Sequence, residues 1–134
     1  MNDKSRSDRT VTPYEALGGE AVLSKLVHTF YSHVAVHQDL HDLFPDDLTE
    51  TARKQIQFLT QFLGGPALYT EEHGHPRLKA RHLPFVITPT QAEAWLSCME
   101  RAMDEVGLQG EIRDYMFERL KLTAHHMVNH PSQG

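Results

Sequence analysis

The chain has 134 residues, of which 40% are hydrophobic and 23% charged, and its net charge is −5. That balance suits one domain with one core and gives no general electrostatic case for a nucleic acid or an anionic membrane. No apolar run approaches the roughly 18 residues a membrane span needs, and the single cysteine, Cys98, excludes an internal disulfide and any multi-cysteine metal site.

The opening MNDKSRSDRTVT is polar and lacks the apolar centre of a signal peptide. It reads as a tail over residues 1–12 of a cytoplasmic protein, followed by a domain over 13–130 and a short tail over 131–134. Thr12-Pro13-Tyr14-Glu15 offers an N-cap, a proline at the first helical position and an acid three residues after the cap. A short helix over 13–17 follows, stopped by Gly18-Gly19.

Glycine and proline then leave four uninterrupted stretches: 20–44, 46–63, 90–106 and 111–130. Proline breaks a helix interior and glycine weakens it, so these are helix candidates. Each carries one apolar face at three- and four-residue spacing. The first has Leu23, Leu26, Val27, Phe30 and Val34. The second has Ala52, Ile56, Leu59 and Leu63. The third has Ala92, Trp95, Met99, Ala102 and Val106, and the fourth Ile112, Met116, Leu120, Ala124 and Val128. Thr88-Pro89-Thr90-Gln91 repeats the capping pattern, and Asp47-Leu48-Thr49-Glu50 is a weaker version. Sustained two-residue alternation is lacking, so the class is all-α. The segment from Gly64 to Ile87 is expected to be weakly structured, with one short helix around 77–82. A loop of that length in a small domain tends to be functional.

The second stretch has a second stripe, Thr51, Gln55, Phe58 and Phe62, beside the first. The apolar arc is therefore wider than a surface helix needs. Gln55 either reaches the edge of that arc and meets water, or offers its amide to a small guest in a cavity walled by Phe58 and Phe62. An unsatisfied buried amide would cost about 1–3 kcal/mol. Phe30-Tyr31 places an apolar ring beside a phenol, although spacing alone does not show that Tyr31 points inward. Trp95 falls on an apolar face, and its indole N–H needs an acceptor.

Ten histidines raise the question of a metal. His33, His37 and His41 recur every four residues, which suits a ligand face or, more simply, a solvated one. Glu72-His73-Gly74-His75 reads as a turn. His125, His126 and His130 suit the negative end of a helix dipole. None has a zinc spacing such as HExxH. Cys98 reads as a small buried hydrophobe. His82 differs in context: it lies in KARHLPF, after Lys79 and Arg81 and before Leu83, Pro84 and Phe85. Cations for carboxylates, apolar groups for a plane and one imidazole for iron together suit haem, which a single proximal histidine can hold.

YEALGGE near the start, TFY in the first long stretch, FP at its exit, TARKQ leading to FLGGP, ARHLPF and Trp95 form a specific set. With these motifs the sequence closely resembles the truncated haemoglobins, group II in particular and bacillus-type members most of all, from about Pro13 to Asn129. The resemblance implies a 2-on-2 helical sandwich, with helices at roughly 20–37 and 49–63 crossed over those at roughly 89–106 and 111–129. It implies one haem b (iron protoporphyrin IX) with His82 as proximal iron ligand. Tyr31, Gln55 and Trp95 match distal residues that contact dioxygen, and Thr51 matches the position of the distal histidine in many larger globins. Phe44 matches a ring packed on the haem; some group II members carry tyrosine there, so the distal network here should rest on the other three. Arg81, Lys54 and Tyr69 match positions that can meet the propionates, and Phe30, Phe58 and Phe85 complete the expected haem contacts.

The function so implied is reversible, high-affinity binding of dioxygen, and of carbon monoxide or nitric oxide, at a five-coordinate iron. Several donors on one bound gas slow its release, which suits scavenging or sensing better than bulk carriage. The alternative is an enzyme on the same site, a nitric oxide dioxygenase or a peroxidase-like catalyst. No flavin or NAD motif is present, so dioxygenase turnover would need an external reductase. A histidine-rich metal-binding protein or scaffold without haem is the third class. Neither a nucleic acid nor a membrane is an expected partner, and the chain is expected as a monomer or weak homodimer.

Overall fold

The computed structural model describes residues 11–77 and 87–129. Among them are six α-helices and no strand: α1 Pro13–Leu17, α2 Gly19–Val34, α3 Thr49–Phe62, α4 Leu68–His73, α5 Pro89–Glu105 and α6 Glu111–Met127. A 3₁₀ turn, His41–Leu43, follows α2. The all-α class is as expected. The helix expected around 77–82, Arg77 apart, and the greater part of the tails lie outside the described residues.

Capping explains where α1 and α5 begin. Thr12 accepts the N–H of Glu15, whose carboxylate takes the Thr12 N–H in return, with Pro13 at the first helical position. Thr88 and Gln91 repeat the exchange ahead of Pro89. Each pair satisfies two N–H groups that a helix start leaves without partners. The Asp47 box does not form in that way. Leu48 occupies the cap position, and Asp47 instead accepts the Thr49 N–H at 3.0 Å.

Helix α2 stops at Val34, short of the expected residue 37. The His37 ring accepts the N–H of Asp39, a bond that competes with continuing the helix. The three histidines 33, 37 and 41 therefore fall on a helix end, a turn and a 3₁₀ turn rather than one face. His33 meets Glu105 at 2.6 Å and His125 meets Glu93 at 2.7 Å, so both act as interhelical struts. Among the described residues no cluster of three metal-ligating side chains exists.

The largest difference from expectation is α4. Its six residues lie in the segment expected to be weakly structured, away from the one short helix expected there. Isolated helices of that length do not persist in water, so its partners must hold it.

Helix α2 packs on both α3 and α5, and α5 packs on α6, which sets one pair, α2 and α3, against another, α5 and α6. The predicted stripes meet where the pairs touch. Leu23, Leu26, Val27, Phe30 and Val34 are fully buried against Leu59, Met99, Ala102, Met103 and Met116. Cys98 is buried among them, and burial pushes its thiol up from the ordinary value. Phe30 alone, if fully buried, accounts for about 1.5–3 kcal/mol of stabilisation.

Candidate functional site

The two helix pairs do not close completely. Between them lies a cavity of about 320 Å³. Helix α2 supplies Tyr31 and the turn after it Leu40, Leu43 and Phe44. Helix α3 supplies Thr51, Lys54, Gln55 and Phe58, and α4 adds Tyr69. Gln91, Ala92 and Trp95 come from α5, with Ile87 just before it, and α6 closes the wall with Leu120, Thr123, Ala124 and Met127.

Tyr31 reaches the cavity because Val27, Phe30, Tyr31 and Val34 share the buried face of α2. Phe30 does not line the cavity itself. It is fully buried behind it and touches both neighbours edge-on, Tyr31 at 4.8 Å and Trp95 at 4.9 Å between ring centroids. Phe44 stands edge-on to Tyr31 at 5.8 Å. The Tyr31 ring is thus held between two phenylalanines, with 6% of the residue exposed. Burial pushes its phenol well above the ordinary value, so the hydroxyl keeps its proton.

The second stripe of α3 is real. Thr51, Gln55 and Phe58 line the cavity, while Ala52 and Leu59 on the other stripe enter the core. Phe62 packs against Phe58 at 5.5 Å, one turn beyond the lining. Phe58 is also edge-on to Tyr69 at 6.0 Å. Lys54 is exposed yet borders the cavity, so it brings a cation to the rim.

No side-chain hydrogen bond joins Tyr31, Gln55 or Trp95 to another described residue. Phenol, indole and amide each carry a donor; Tyr31 is buried, where polar groups are ordinarily paired, and Gln55 and Trp95 are half-buried. Three unspent donors from three helices around one apolar space make a site for a guest that accepts hydrogen bonds.

Of the expected site residues, Tyr31, Phe44, Thr51, Lys54, Gln55, Phe58, Tyr69 and Trp95 come together here. Arg81, His82 and Phe85 lie outside the described residues. The lining residues not anticipated as such are Leu40, Leu43, Ile87, Gln91, Ala92, Leu120, Thr123, Ala124 and Met127. Ala92, Leu120 and Ala124 had a signal, their place on apolar faces, but that signal does not distinguish a cavity wall from a core.

Residues 12–129 match the family described as bacterial-like globin. The group 2 truncated hemoglobin YjbI of Bacillus subtilis (strain 168) is 70% identical over 117 residues, which cover 87% of this chain and 88% of that protein. The crystal structure of the group II truncated hemoglobin from Bacillus anthracis superposes with a TM-score of 0.92 at 68% identity, covering 93% of this chain and 96% of that one. The X-ray structure of a truncated oxygen-avid haemoglobin from Bacillus subtilis gives 0.86 at 69% identity, over 88% of this chain and 99% of that one.

Proposed function

The chain belongs to the bacterial-like globin family, among the group II truncated haemoglobins, and on that premise we propose that its cavity takes a haem b and reversibly binds dioxygen with high affinity. The observation that carries this reading is the set of three donors, Tyr31, Gln55 and Trp95, that have no hydrogen-bond partner among the described residues and surround one largely apolar cavity.

The residues present fit the group. Leu43, Phe44, Phe58, Leu120 and Ala124 offer apolar surface to a flat macrocycle, and the exposed Lys54 at the rim offers a cation to its carboxylates. His82 is the axial ligand that the family likeness suggests. Haem, when bound, supplies an iron with one coordination position open to a diatomic gas. The oxygen-avid relative in Bacillus subtilis supports a ligand of that kind.

The chain's own contribution is to orient donors and keep them protonated. The indole of Trp95 can only donate. The Tyr31 hydroxyl donates at any working pH, because burial holds its proton in place. Gln55 lies one turn from Phe58 and presents an amide from the same helix face. A gas that gains negative charge on binding is stabilised by donors fixed in advance around a largely apolar space. Each charge-assisted bond contributes about 1.5–3 kcal/mol, which slows release about tenfold to a hundredfold.

Titrating the purified chain with haemin tests the reading. The expected result is a Soret band, with a ferrous spectrum that changes on adding carbon monoxide. A chain that stays colourless overturns it. In stopped-flow measurements Tyr31→Phe and Trp95→Phe should each release dioxygen about ten to a hundred times faster, and unchanged rates in both would remove the distal assignment. His82→Ala should lose or misligate haem; full retention with an unaltered ferrous spectrum would place the iron ligand elsewhere.

A further inference from the structure

The outward side of α3 carries a third set of residues at four-residue spacing: Arg53, Gln57 and Gln61. All three face α4. Arg53 grips Glu72 with two bonds, 2.9 Å to Oε1 and 2.7 Å to Oε2, and its Nε and Nη2 also hold Glu50. Gln57 donates to Glu72 at 2.8 Å, and its carbonyl oxygen meets Nε2 of His73 at 2.8 Å. That oxygen has no proton to give, so the His73 nitrogen is the donor. Gln61 closes a two-bond ring with Thr70, donating to its hydroxyl at 2.7 Å and accepting its N–H at 2.9 Å.

Helix α4 is therefore fastened to α3 by a polar zipper along its outer side. Its inner side carries Tyr69, which is 7% exposed, lines the cavity, stands edge-on to Phe58 and packs its ring against His73 at 4.8 Å. A single exposed ion pair contributes little. This one is bidentate and shares its carboxylate with Gln57, and such linked geometry is the exception. Arg53, then Gln57, hold the Glu72 carboxyl down to about 2, so the acid is charged at any working pH.

We infer that Arg53, Gln57 and Gln61 are positioning residues: through the zipper they hold α4 so that Tyr69 stays in the cavity wall, and they thereby set how long a haem is retained. The inference deepens the haem reading and rests on it. None of the three lines the cavity, so an effect on haem is indirect, and exchange in α4 shows whether it passes through that helix rather than through α3.

The test uses the full chain with Gln57→Met and Gln61→Met, which keep side-chain length but remove the bonds, and with Glu72→Gln. Amide exchange of the peptide spanning 66–77 is read by mass spectrometry without haem. Haem loss to excess apomyoglobin is read from the loaded protein. In each methionine variant the peptide should exchange faster and haem should leave about tenfold faster, the effect of losing one or two hydrogen bonds. The urea midpoint of the helical signal should move little, because α4 is six residues at the surface. Added sodium chloride should speed haem loss in the unsubstituted chain and much less in Glu72→Gln. Faster exchange with unchanged haem loss overturns the coupling to the cavity, and unchanged exchange overturns the zipper. Failure of the unsubstituted chain to take haemin would instead sink the functional reading, with the exchange arm still deciding whether α4 depends on these side chains.

Discussion

In the proposed site Tyr31 offers a proton in a hydrogen bond without losing it, and its surroundings carry a cost that solution conditions can reveal. In the unfolded chain a tyrosine titrates near 10. In the folded chain burial pushes the Tyr31 phenol higher. Above about pH 10 the unfolded state therefore releases a proton that the folded state keeps. The stabilisation is complete below that pH and is lost as pH rises toward the folded value. By pH 11 a fully insulated phenol has lost the native state about 1.4 kcal/mol. Urea unfolding of the haem-free chain at pH 8 and pH 11 should thus show a smaller alkaline loss in Tyr31→Phe than in the unsubstituted protein. Equal losses would mean that water reaches the phenol. The residue scale also shows the limit of spacing as a guide. Periodicity placed Phe30 on the inner face of α2, but whether its neighbour Tyr31 shared that face depended on how α5 and the turn at Phe44 pack around it. Gln55 was legible as an amide within an apolar arc, yet only the position of the facing helices decides between water and a guest.

At the scale of elements, the helices that announce themselves are those whose ends and faces carry local signals. Both threonine capping boxes form as read, and the four long apolar stripes fall on α2, α3, α5 and α6, except that Leu63, Val106 and Val128 sit at the C-caps of the last three. Helix α4 has no capping bond from its N-cap residue and is too short to show a period. Its existence depends on residues 53, 57 and 61, up to 19 positions earlier in the chain, so no local reading could find it. Leu40 and Leu43 went unseen as cavity residues for a similar reason: they sit in and beside a 3₁₀ turn, where no stripe forms. Docking of α1 onto the end of α3 makes a testable case. The Tyr14 N–H donates to the Leu63 carbonyl at 2.9 Å, and Gly65 donates to the Thr60 carbonyl at 2.8 Å. A Cβ at Gly65 would lie 2.8 Å from Cδ2 and 2.9 Å from Cγ of Tyr14, and 3.0 Å from Cγ2 of Thr60. Two of these atoms belong to a ring whose backbone is pinned, and the third to a threonine that is 1% exposed. Overpacking of this kind costs about 1–3 kcal/mol, so Gly65→Ala should lower the urea midpoint accordingly. An unchanged midpoint would show that α1 swings away at no cost.

The whole molecule is two helix pairs joined along one side by a close apolar core and separated along the other by the cavity. The core is self-sufficient, since Leu23, Leu26, Phe30, Met99 and Met116 are fully buried by one another and their neighbours. The cavity walls are not self-sufficient in that sense. They draw on α2, α3, α4, α5 and α6 and on the turns between them, so a single guest touching them all ties together elements that otherwise meet only in pairs. A ligand that binds the folded state alone stabilises it by mass action, about 4.1 kcal/mol at a free concentration a thousand times its dissociation constant. For a chain between the size classes for which values are known, each kcal/mol shifts the melting temperature by roughly 4 °C. Haemin held at a free concentration about a thousand times its dissociation constant should therefore raise the circular-dichroism melting temperature by about 15 °C. The same loading should slow amide exchange in α3, α5 and α6 together, because the guest would link them. Slowing confined to one helix would place the haemin on the surface. No rise at all, in a chain that keeps its haemin colour, would mean that the walls bind the pigment without being held by it, and the cavity would lose its claim to organise the fold.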